Sequence, residues 1–110
     1  MEHISKTITR TGNRITITDP YTMSCLQDEI NTTYAELVAE LGKPNAKNDG
    51  YKTDAEWTIT TPYGQASIYN YKDGKNYNGN GGLATQDITD WHIGGSNKQT
   101  AECVIKALTK

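Results

Sequence analysis

The chain of 110 residues contains no Phe, only two Cys and three Pro, and no apolar run approaching the ~20 residues of a membrane-spanning helix. Each shortage excludes a class. Cys25 and Cys103 are too few and too far apart for a disulfide framework, and neither belongs to a CxxC pair, so both are read as reduced thiols packing as small apolar residues on two helices. Charge of one sign is also lacking. Eleven Lys plus Arg against thirteen Asp plus Glu give a net charge of −2, without the basic excess that binding duplex nucleic acid through its phosphates requires. Met1-Glu2-His3-Ile4 does not open on a basic segment followed by an apolar stretch, so the expectation is a cytoplasmic protein without membrane association.

What is present is one domain's worth of β and α pattern, spanning 1–110. Lys6 to Thr18 carries β-branched residues on both sides of Gly12-Asn13, which predicts a hairpin whose apolar face is Ile8, Ile15 and Ile17, stopped by Asp19-Pro20. From Ser24 onward Leu26, Ile30, Tyr34, Leu37, Val38 and Leu41 recur at helical steps. Ser24-x-x-Gln27 and Thr33-x-x-Glu36 compete as capping boxes, and the second is the favoured start; Gly42 and Pro44 end the helix.

After the polar turn 45–50, Ala55 to Thr60 and Ala66 to Tyr71 alternate around Pro62-Tyr63-Gly64, which predicts a second hairpin. Trp57 and Ile59 share its core face; either Ala66 with Ile68 or Ser67 with Tyr69 and Tyr71 faces away. Lys72 to Gln86, dominated by Gly and Asn, reads as a long loop, and Asp87 to Ile93 as a last strand ended by Gly94-Gly95. Ser96-x-x-Gln99 caps a final helix with Ala101, Val104, Ile105 and Leu108 as its buried stripe. The predicted fold is α+β: an antiparallel sheet of two hairpins plus a later strand, packed by two amphipathic helices. So small a core without Phe also predicts a homo-oligomer that hides Trp or Tyr surface.

Two segments carry candidate chemistry. Trp91-His92-Ile93-Gly94-Gly95-Ser96-Asn97-Lys98 runs from a strand through two glycines into a helix start, where free N–H groups, Ser96 and Lys98 would hold an anion and Trp91 or His92 would contact a base. The spacing is not that of a P-loop, and the plain structural reading is a strand-to-helix turn. Enlarging Gly95 is then expected to abolish ligand binding and spare the fold. Tyr69, Tyr71 and Tyr77 interleave with Lys72 and Lys75, setting stacking rings beside cations, as a nucleotide or a protein interface would use them; the plain reading is a half-exposed sheet with a soluble loop.

No His or Cys lies near His3 or His92 at ligand spacing, so no metal site is expected. His92 with Asp90 or Asp87 would permit acid–base chemistry, but exposed polar neighbours explain the pattern equally and no cluster of acids supports a hydrolase. Hence no cofactor, no metal and no enzymatic activity are expected.

Tyr34-x-x-Leu37-x-x-x-Leu41-Gly42-x-Pro44, Gly50-Tyr51-Lys52-x-Asp54-x-Glu56-Trp57, Ile68-Tyr69-Asn70-Tyr71-Lys72 and Asp90-Trp91-His92-Ile93-Gly94-Gly95 together resemble small proteins of tailed bacteriophages, over about residues 30 to 108. The resemblance implies a phage setting and supplies no catalytic residue. In that setting the expected function is sequestration, without catalysis, of a phosphate-bearing nucleotide immune signal; the alternative is direct inhibition of a host defence protein through the aromatic face and the Gly/Asn loop.

Overall fold

The computed structural model describes residues 7–10, 13–17, 25–46 and 53–109. Six strands form one sheet: β1 (Thr7–Arg10), β2 (Asn13–Ile17), β3 (Cys25–Asn31), β4 (Glu56–Thr61), β5 (Gly64–Tyr69) and β6 (Asp90–Gly95), in the order β1-β2-β4-β5-β6-β3. Every neighbouring pair is antiparallel. Helices α1 (Tyr34–Leu41) and α3 (Lys98–Leu108) supply the second layer, and α2 (Lys75–Asn78) is a single turn. This is the expected α+β architecture, with one strand more than the sequence predicts.

Both hairpins form where alternation placed them. Ile8 pairs with Ile15, and Arg10 with Asn13, so Asn13 belongs to β2 rather than to the turn. Gly12, Asp19-Pro20, the Ser24 capping box, residues 47–50 of the polar turn and the side chains of Ile8, Ile17 and Cys25 lie outside the described residues. In the second hairpin Thr61 pairs with Gly64 around Pro62-Tyr63. Trp57 faces the core beside Ile68 and Ile59 beside Ala66, all fully buried. That resolves the open alternative: Ser67 and Tyr69 point to the outer face.

Tyr34 on α1 packs against both tryptophans, with ring centroids 5.8 Å from Trp57 and 6.4 Å from Trp91, and the Trp57 indole N–H donates to the Gly42 carbonyl at 2.9 Å. The two indoles meet edge to face at 5.6 Å. Removal of either ring would cost about 3–5 kcal/mol. Thr33 caps α1, its hydroxyl accepting from Glu36 N at 3.1 Å, and Gly42 ends the helix at φ 86°. On α3, Ala101 and Val104 of the predicted stripe are buried against the sheet, joined there by Cys103 and Ala107, whereas Ile105 and Leu108 are only partly buried.

Four expectations require correction. Residues 25–31 are an edge strand rather than helix: Leu26 pairs with Gly94 and Ile30 with Trp91, with a bulge between Leu26 and Asp28. The extra residue reverses the alternation, leaving Leu26 exposed and Ile30 packed on the core, and it produces a four-residue apolar step that mimics a helix. Cys25 therefore sits on a strand, and only Cys103 on a helix. Lys72 to Gln86 is ordered as α2 and two short 3-10 turns, Gly79–Gly81 and Thr85–Asp87. The last strand runs from Asp90 through Gly95, so Ile88 lies outside it and reaches the core independently of Ile93.

The cap of α3 is Asn97, whose Oδ1 accepts from Thr100 N at 2.9 Å, and not Ser96, whose hydroxyl donates to the Gln65 carbonyl at 3.4 Å.

Candidate functional site

The register across β4, β5, β6 and β3 sets Glu56, Tyr69, His92 and Glu29 in one row on the outer face. His92 is the hub of that row. Tyr71 stacks on its imidazole at 5.5 Å with 24° between the planes, Tyr69 meets it edge-on at 5.6 Å, and Nε2 lies 3.1 Å from Glu29 Oε1. Burial, the Glu56 carboxylate and Tyr71 together push the Tyr69 phenol above its ordinary value. Beyond Tyr71, the Lys72 ammonium lies 5.2 Å from the Tyr71 ring centre and 5.3 Å from that of Tyr77. Tyr71 is 41% exposed and Tyr77 38%.

A buried carboxamide holds this surface in place. Asn70, fully buried, accepts from Asp54 N at 2.7 Å and Ala55 N at 3.1 Å, and donates to Asp54 Oδ1 at 2.8 Å and Asp73 Oδ1 at 3.0 Å. Asp54 Oδ2 in turn accepts from Asn76 N at 3.1 Å at the start of α2, and Asn78 Nδ2 donates to the Lys72 carbonyl at 2.8 Å. Gly74 is needed because a Cβ there would collide with the Asp54 carboxylate. Lys72 itself adopts φ 62°, a left-handed conformation that costs a non-glycine residue about 1–2 kcal/mol. The hydrogen bonds on either side fix that conformation.

Of the candidate residues, Tyr69, Tyr71, Lys72, Tyr77 and His92 thus come together, and Lys75 is exposed on the adjoining α2. The rest do not join them. Trp91 is fully buried with its indole N–H bonded to the Ile88 carbonyl at 3.2 Å, so it offers no stacking face to a ligand. Gly94 and Gly95 are buried in the ladder between β5 and β3. Two of the amides expected to hold an anion are in use: Ser96 N donates to the Gln65 carbonyl at 3.3 Å and Thr100 N to Asn97. Ser96, Asn97 and Lys98 are exposed, and Ser96 lies four residues, about 13 Å of strand, from His92. A Cβ at Gly95 would meet Thr100 Cβ and Cγ2 at 3.4 Å, ordinary van der Waals contact with α3.

Glu29 was not among the residues the sequence pointed to. No signal in the chain links it to His92, because the bulge that turns it to the outer face is invisible in a segment patterned like a helix. With Asp90 it brings two carboxylates to His92, where the sequence speaks against a metal for want of a neighbouring His or Cys.

Comparison of the chain with protein-family models, with curated proteins and with solved structures finds no match in any of the three.

Proposed function

We propose that this chain is a non-catalytic binding protein that docks on a protein partner through the surface formed by Tyr71, Lys72 and Tyr77. The observation that carries this reading is that these side chains are exposed yet already ordered: a cation lies over two tyrosine rings, on a segment tied to the buried Asn70 through the Asp73 side chain and through Asp54, which accepts from Asn76 N. Aromatic residues dominate the energetics of protein interfaces, and a surface ordered in advance loses less entropy on docking. In the phage setting that the sequence pattern implies, the partner is a host defence protein, and the chain acts in the bacterial cytoplasm as a counter-defence inhibitor. Trp57 and Trp91 are fully buried within the chain, so the homo-oligomer expected to hide Trp or Tyr surface would have to hide tyrosine.

Sequestration of a nucleotide is the second reading, and Lys72 favours it, as a cation beside two stacking faces. It ranks lower because two of the amides it would use around the start of α3, those of Ser96 and Thr100, are bonded within the fold, and Trp91 is buried.

The test is affinity purification from the host bacterium of the tagged wild type and of a Tyr71→Ala, Lys72→Ala, Tyr77→Ala triple variant. One host protein at equimolar yield with the wild type, reduced at least tenfold with a triple variant of unchanged circular dichroism, is the expected result. Equal recovery with both proteins would contradict the docking surface. A nucleotide released intact from denatured wild type would transfer the assignment to sequestration.

A further inference from the structure

We infer that Glu29, Asp90 and His92 form a binding site for a divalent transition-metal ion, of the zinc class, on the outer face of the sheet. One donor atom from each lies within 4.8 Å of the others. His92 Nε2 and Glu29 Oε1, 3.1 Å apart, already have the separation of two ligands each about 2.1 Å from a common ion, which is about 3.0–3.4 Å between adjacent ligands. Asp90 stands two residues before His92 on the same face of β6, so its carboxylate closes on that pair by a rotation of its own side chain.

The backbone builds this convergence. Leu26 faces outward opposite Gly94, so regular alternation would turn residue 29 toward the core; the bulge between Leu26 and Asp28 turns Glu29 outward, directly opposite His92. Bulges recur beside functional sites because they re-aim a side chain in this way. The imidazole is held as well, with Tyr71 against its face and Tyr69 at its edge, which is the orienting role that surrounding groups play toward a ligating histidine. Two carboxylates brought to one point repel each other, and a divalent ion on the imidazole relieves that repulsion more fully than an ion pair with histidine alone.

The donor set selects the ion. One imidazole and two carboxylates, with no thiolate among them, suit zinc and its borderline neighbours better than calcium or magnesium, which take oxygen alone, or copper(I), which takes sulfur. Three protein ligands leave a coordination position to water, and the Glu29 side chain, 57% exposed, leaves an open path for entry.

Zinc chloride titrated calorimetrically into the full chain, stripped beforehand with chelator, tests the site. Saturable binding of one ion per chain is expected, together with a shift of the His92 imidazole nitrogen resonances of the wild type. Glu29→Gln, Asp90→Asn and His92→Gln should each weaken binding at least tenfold, whereas a His3→Gln, Cys25→Ser double variant should retain it. Absence of saturable heat, unmoved His92 resonances, or binding that survives His92→Gln would overturn the assignment. None of these outcomes depends on a protein partner, so the site and the docking surface stand or fall separately.

Discussion

Asn70 and Asp54 grip one another through two hydrogen bonds, Asp54 N to Asn70 Oδ1 and Asn70 Nδ2 to Asp54 Oδ1, and the second oxygen of the same carboxylate takes a third, from Asn76 N in the turn that carries Tyr77. The first two join the residues directly; the third extends their hold to α2. Asn70→Ala strands the N–H groups of Asp54 and Ala55 without their acceptor. The expected loss is about 3 kcal/mol, since each buried group left unsatisfied costs about 1–3 kcal/mol. Urea unfolding measures it, and amide exchange should show residues 72–83 losing protection first.

That relationship also explains what could be read from the chain. Strict alternation at Trp57 and Ile59, the stripe Ala101, Val104 and Leu108, and the Gly42 stop before Pro44 each report a local rule, and each produced the element expected. Residues 25–31 did not, because a bulge adds one residue and turns a strand's period of two into a helical-looking step of four. Lys72 to Gln86 looked structureless because its order comes from side-chain amides reaching distant backbone, such as Asn76 Nδ2 to the Thr53 carbonyl at 2.9 Å, which leave no periodicity. Its glycines were legible as composition, but their purpose, room for Asp54 beside Gly74, exists only in the folded chain. The tyrosines and His92 were found because residue type and strand parity sufficed; Glu29 needed the register.

Lys72 at φ 62° gives a second prediction. Lys72→Gly and Lys72→Ala both remove the cation from the Tyr71 and Tyr77 rings, but only glycine accepts the backbone without strain. The glycine variant should be the more stable of the two by about 1 kcal/mol. Thermal melts of the pair check this, and equal stabilities would mean that the left-handed conformation at residue 72 is not retained in solution.

Ser67 is fully buried, and its hydroxyl has no hydrogen-bond partner among the described residues. Ser67→Ala removes a polar group that is desolvated without compensation, so the variant should be more stable than the wild type by about 1 kcal/mol. A fall in the urea midpoint instead would show that the hydroxyl is satisfied in solution.

Burial pushes the Cys103 thiol above its ordinary value of 9.0, while its S–H donates to the Arg14 carbonyl at 3.6 Å. A folded value above the unfolded one means that the folded state holds its proton more tightly. The stabilising contribution is therefore complete below about pH 9 and is lost as pH rises through the folded value. Between pH 8 and roughly pH 10.5 the wild type should lose more stability than Cys103→Ala, measured by urea unfolding at each pH. Parallel losses would show that the thiol titrates alike in both states.

The central claim is that Tyr71, Lys72 and Tyr77 meet a protein. Native mass spectrometry of the tagged chain recovered from bacterial cells, the proposed host, tests it most directly. The account predicts one complex whose added mass is that of a single host protein, dissociated by the triple alanine variant. A chain recovered with a bound nucleotide, or recovered with the same host protein when all three side chains have been removed, would contradict it.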